Sequence, residues 1–130
     1  KVLAEESAES VFHILNRLFT AIDYHNYPVK DEASLRAYVQ VYFSGAGLEA
    51  KVEQHNAHGR SDLEVSAGER HWVFEFKVSY DGEKEEEILL EGISQMKARH
   101  YGEQKDSKEL RRIVLVYSIP SRQFVKWKTC

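Results

Sequence analysis

The chain has one cysteine, one methionine and two prolines in 130 residues, and its longest apolar run is IVLVY at 113–117. The lone thiol, Cys130, excludes an internal disulfide and a cysteine-built zinc site, and it suits a reducing, cytoplasmic setting. A run of five is far below the roughly 20 apolar residues a membrane-spanning helix needs, so no membrane partner is expected. The opening KVLAEESAES has no apolar core of the secretory type, so it does not read as a signal peptide. The lack of an initiator Met points to processing or excision from a longer chain. No repeat and no Gly/Ser/Pro-rich linker divides the sequence, and its length suits one domain burying roughly two-thirds of its unfolded surface.

What is present is an ordinary globular composition, 42% hydrophobic and 30% charged, with a net charge of −3. That balance argues against a strongly basic nucleic-acid binder. The charge is polarised, however. Residues 1–96 carry 9 Lys and Arg against 18 Asp and Glu, whereas residues 97–130 carry 9 against 3. A basic surface on the last third is compatible with phosphate contacts, and equally with a solvated face.

Apolar spacing predicts a helix over 4–22, through Val11, Ile14, Leu15, Leu18, Phe19 and Ile22. A second helix runs from Glu32 to about Phe43, with Asp31 as its N-cap, and stops at SGAG. Strands are predicted near 49–54, 62–67 and 70–78. The stretch GEKEEEILLEGISQMKARHYGE then reads as a helix with Leu89, Ile93, Met96 and His100 along one face. RRIVLVYS and RQFVKW form two more strands around Pro120. The class is α/β: residues 1–30 form an N-terminal helix and connector packed on a core at 31–130, one domain overall.

The segment HGRSDLEVSAGERHWVFEFK, 58–77, holds the most informative charges. Gly68-Glu69 suits a two-residue type II′ turn, so Ala67 pairs with Arg70, Val65 with Trp72 and Leu63 with Phe74. The same register sets Asp62 opposite Glu75 at about 5 Å, with Lys77 on the same face as Glu75. Two opposed carboxylates repel. A divalent cation relieves that repulsion, and so does an ion pair with Lys77. On the second helix, Glu32 projects within about 20° of Val39, on the apolar stripe, which aims it toward the sheet as a third acid. His55 and His58 read as solvent-facing loop residues, and Trp72, Phe74 and Phe76 as packing residues.

These residues resemble the PD-(D/E)xK nuclease superfamily. The resemblance rests on AIDYHNYPVKDEASLRAYV, HGRSDLEV, FEFKV, ISQMKARHYGE and RRIVLVYS…FVKW, covering about residues 21–127. It implies a restriction-endonuclease-like αβββαβ core, a central mixed sheet flanked by helices, with an extra N-terminal helix. It further implies a Mg²⁺- or Mn²⁺-dependent nuclease, acting on DNA ahead of RNA. Asp62, Glu75 and the Phe76 backbone carbonyl would hold the metal, with Glu32 reaching it directly or through water. Lys77 would orient or activate the attacking water, and Gln95 would face the site. Tyr101 would contact the nucleic-acid backbone, with Arg60, Arg99, Lys105, Arg111 and Arg112 as further phosphate contacts. The resembling family usually carries an AAA-ATPase-like domain in front, and a homodimer is compatible with the pattern. VYSIPS departs from that family's GVNF-like segment. The alternative is a catalytically silent module of the same fold that binds nucleic acid or a protein partner.

Overall fold

A computed structural model describes residues 7–22, 24–55, 60–99 and 109–130, with side chains at all of these except 52–55, 60–62 and 98–99. Among the described residues, three helices and five strands occur in the order α1 (Ala8–Ala21), α2 (Glu32–Gly45), β1 (Glu49–His55), β2 (Arg60–Ala67), β3 (Arg70–Ser79), α3 (Glu85–Arg99), β4 (Glu109–Ser118) and β5 (Gln123–Thr129). Helix α1 begins later than its apolar spacing suggests, because the Ser7 side chain accepts from the Ser10 N–H and fixes the cap there. Its Val11, Leu15 and Phe19, four residues apart, form the buried stripe. Helix α2 starts where expected. The Asp31 carboxylate accepts from Ser34 N at 2.8 Å, while Ser34 Oγ accepts from Asp31 N at 3.1 Å, closing a capping box.

The strands lie in sequence order in one sheet. β1, β2 and β3 form an antiparallel meander, β4 runs parallel to β3, and β5 returns antiparallel to β4. The turn between β2 and β3 places Gly68 at φ 60°, the left-handed region that a type II′ turn requires of its first central residue. Pairing follows the register read from the sequence, with Ala67 opposite Arg70, Val65 opposite Trp72 and Leu63 opposite Phe74. The parallel step from β3 to β4 needs a crossover, which α3 supplies.

Two apolar layers sandwich this sheet. On one face, Trp72, Phe74, Phe76 and Val78 of β3 join Leu63, Val65, Ile113, Leu115 and the buried stripes of α1 and α2. The β3 aromatics stack, with Trp72–Phe74 and Phe74–Phe76 centroids each 5.9 Å apart, and Phe43 of α2 stacks on Phe74 at 5.7 Å. On the other face, Val73, Val114 and Val116 meet Leu89 and Met96 of α3. Edge strand β5 is tied to α1 by Asn16, whose amide donates to the Phe124 carbonyl at 3.0 Å and accepts from the Phe124 N–H at 2.6 Å. No helix among the described residues is long and apolar enough to cross a membrane.

Candidate active site

Residues two apart on a strand share a face. The alternation that sends Trp72, Phe74 and Phe76 to the aromatic layer therefore sends Glu75 and Lys77 to the face covered by α3. Both are buried, at 2% and 5% exposure, beside the apolar cluster of Val73, Val114, Val116, Leu89 and Met96. Lys77 Nζ lies 4.0 Å from Glu75 Oε2 and 3.7 Å from Oε1 of Glu91, which reaches in from α3. Phe76, whose carbonyl the sequence suggests as a ligand, sits between them with its ring in the opposite layer.

Helix α3 comes unusually close at this point. A Cβ on Gly92 would lie 2.5 Å from Val114 Cγ1 and 3.3 Å from Lys77 Cγ, so the helix touches the strands through bare backbone. One turn on, Gln95 presents its Oε1 to the interior, buried and without a hydrogen-bond partner among the described residues. Glu91 and Gln95 are four apart and so lie along one helix face.

The other expected site residues distribute unevenly. The β2–β3 ladder is described as far as Leu63–Phe74, and the next pair in that register is Asp62–Glu75; the Asp62 side chain lies outside the description, as do those of Arg60 and Arg99. Tyr101 and Lys105 fall outside the described residues. Glu32 opens α2, whose buried residues belong to the aromatic layer, across the sheet from Glu75 and Lys77. Half-buried there, it accepts a hydrogen bond from the Tyr80 hydroxyl just past the end of β3. Burial first, then the charges of Glu32 and Asp31, push the Tyr80 hydroxyl above its usual range. Among the described residues Glu32 makes no ion pair with Lys77. The two arginines of β4 point apart: Arg112 is two residues from Val114 and shares its face, donating Nε to the Cys130 carbonyl at 3.3 Å, whereas Arg111 pairs with Glu109 beside Trp72 and Trp127.

Two features were not anticipated. The sequence reading gives Glu91 no role, although its spacing four residues before Gln95 is a usable signal. On β2 and β3, His71 Nε2 and Glu64 Oε1 stand 2.6 Å apart, both buried, with Ser66 Oγ 3.2 Å from His71 Nδ1. These contacts lie on the Glu75 face but two to four residues nearer the Gly68 turn. Among the described residues no group of three or more His, Cys, Asp or Glu is placed to hold a metal.

No curated protein and no solved structure matches the chain. A family model described as the PD-(D/E)XK nuclease superfamily matches residues 30–127, three-quarters of the sequence, covering the αβββαβ succession from α2 to β4 and most of β5. Nucleases of that superfamily act on nucleic acid and typically use divalent metals. The buried Glu75-Phe76-Lys77 triplet on the central strand and the matched span agree: the chain belongs to the PD-(D/E)XK nuclease superfamily.

Proposed function

We propose that this domain hydrolyses phosphodiester bonds in DNA with the help of Mg²⁺ or Mn²⁺, using Asp62, Glu75, the Phe76 carbonyl and Lys77. The observation that carries the reading is the burial of Glu75 and Lys77 side by side under α3, against the apolar side chains of Val73, Val114, Val116, Leu89 and Met96. Such a pair is expensive to desolvate and is commonly kept for a role other than stability. The donor chemistry fits a hard cation. A buried carboxylate, a neighbouring strand position occupied by Asp62, and the uncommitted buried oxygen of Gln95 are all oxygen donors. When bound, such an ion makes its water more acidic and steadies charge on the phosphate.

The chain's own groups supply the rest. Lys77, a compact cation within 4.0 Å of Glu75, holds an attacking water in line and offsets charge developing on the phosphoryl oxygens. Gln95, facing inward from α3, fixes the orientation of that water or of a ligand carboxylate. Glu32 acts from the end of the sheet through its position beside Tyr80, reaching the site by way of water. Arg112 lies on the same face for phosphate contact, with Arg60, Arg99, Tyr101 and Lys105 serving as further contacts and Arg111 approaching from the other side. On the resemblance alone, the domain works in the cytoplasm within a longer chain carrying an ATPase-like domain, and a homodimer is compatible.

The test is cleavage of single-stranded DNA, duplex DNA and RNA, with and without Mg²⁺ or Mn²⁺. We expect metal-dependent cleavage of DNA that Glu75→Ala, Asp62→Ala and Lys77→Ala abolish while circular dichroism is unchanged. A wild-type protein that binds DNA but cleaves no substrate under either metal overturns the reading in favour of a silent binding module.

A further inference from the structure

Lys77 has a second carboxylate partner, and that partner comes from a different element. Glu91 Oε1 is 3.7 Å from the ammonium, nearer than Glu75 Oε2 at 4.0 Å. The two ends of this contact differ sharply in environment: the Lys77 side chain is 6% exposed and that of Glu91 63%. Glu91 therefore reaches from the surface to a buried cation. Its neighbour makes this reach possible. Gly92 has no side chain, and a Cβ there would collide with Val114 and press on the Lys77 stem. Glycine is a poor helix former, so its place inside α3 needs a packing reason, and close approach to Lys77 is one.

We propose that Glu91 is a positioning residue for Lys77, brought within reach by the bare surface at Gly92. The inference rests on the nuclease reading and deepens it. A lysine ammonium rides on a flexible four-carbon stem, so one carboxylate beside it on the same strand does not fix its position. Without a carboxylate from α3, the ammonium would be drawn toward Glu75 and occupy the lone pairs a metal needs. Glu91 shares the ammonium from α3, holding it beside Glu75 without neutralising Glu75 alone. Gln95 lies one turn further along the same helix face with its Oε1 buried, so α3 carries both residues on one element.

The experiment compares full-length wild type with Glu91→Gln, Glu91→Asp and Glu87→Gln. It uses Mg²⁺-dependent cleavage kinetics, melting temperature, and metal-free NMR of lysine Cε–Hε correlations, with Lys77 assigned by its loss in Lys77→Arg. Glu91→Gln should lower kcat by roughly tenfold or more, the scale seen when an outer partner of a metal-site group is removed. KM and melting temperature should stay near wild type, Glu91→Asp should recover part of kcat, and Glu87→Gln should change nothing. The Lys77 resonance should move in Glu91→Gln. A wild-type kcat in Glu91→Gln overturns the proposal, whatever the spectrum shows. If the wild type itself cleaves nothing, the nuclease reading has failed on its own, and the metal-free spectrum decides: a shifted Lys77 signal upholds Glu91 as its anchor, and an unshifted one removes it.

Discussion

Replacing Gly92 with alanine sets two calculable effects against each other. In a helix interior the change gains about 1 kcal/mol of intrinsic helix stability. Against this, the new methyl would lie 2.5 Å from Val114 Cγ1, about 1–1.5 Å inside the usual carbon–carbon separation of about 3.5–4 Å. Val114 cannot readily yield, being fully buried, β-branched and paired with Glu75 on one side and Lys128 on the other. The Lys77 stem, at 3.3 and 3.6 Å, can give by a few tenths of an ångström, but only by displacing the ammonium. Overpacking of this kind costs about 1–3 kcal/mol. The net expectation is a loss between zero and about 2 kcal/mol, lowering the melting temperature by up to several degrees. Urea unfolding followed by the fluorescence of buried Trp72 measures it directly. The mechanism makes a sharper demand as well. Val114→Ala opens the space the methyl needs, so the double variant should be less destabilised than the sum of the two singles. A Gly92→Ala protein more stable than wild type by about 1 kcal/mol, with additive behaviour in the cycle, would refute the close approach of α3.

Asn16→Leu should cost about 1–3 kcal/mol in urea unfolding, because it strands both backbone groups of Phe124 on the edge strand; a change within error would mean water replaces the amide. His71→Leu should destabilise by about 3 kcal/mol or more by leaving the Glu64 carboxyl buried without its imidazole, and Glu64→Leu/His71→Leu should recover at least half of that loss. A double variant as damaged as the single one would show that the pair itself is needed. Burial, reinforced by the neighbouring Tyr24 and partly opposed by Arg122, raises the Tyr117 hydroxyl from 10.0 to about 12. The fold therefore favours its neutral form: that stabilisation is whole below pH 10 and fades as pH climbs from 10 toward 12. In a 295 nm alkaline titration Tyr117→Phe should delete a late step, and ionisation of every tyrosine near pH 10 would contradict the burial.

The hairpin was legible because two independent signals, the turn and the apolar alternation, coincided. Gly68 specified the turn, the turn specified the register, and Leu63, Val65, Trp72 and Phe74 would all have faced the wrong way in any register one residue off. The same alternation placed Glu75 and Lys77 together. What periodicity could not supply was the side of the sheet each helix covers. The stripe through Glu32, Leu35 and Val39 showed correctly that α2 packs by that face, but α2 covers the aromatic layer, so Glu32 meets Tyr80 at the sheet's end. The His71–Glu64 contact was hidden for a different reason. It is diagonal, since His71 pairs with Ser66 and Glu64 with Val73, and diagonal reach depends on strand twist and rotamer. Glu91 was marked only by its spacing from Gln95, and spacing does not reveal that a largely exposed helix residue reaches a buried lysine.

Strand β3 divides packing and charge between its two faces. Even-numbered Trp72, Phe74 and Phe76 form a stacked column that locks the strand against α1 and α2. Odd-numbered Glu75 and Lys77 interrupt a layer in which Val73, Val114, Val116 and Met96 already pack well. An apolar pair at those two positions would complete that layer without desolvating two charges, and by the usual energetics of buried ion pairs it would be as stable or more so. Stability therefore does not explain a carboxylate and an ammonium there. A rule of local packing broken at one spot, on a strand held rigid by its other face, is how a site that must hold charge in fixed positions is built. Glycine at 92 extends the same logic to the opposite wall. The helix gives up intrinsic stability at the one residue where α3 must come close enough to hold the lysine.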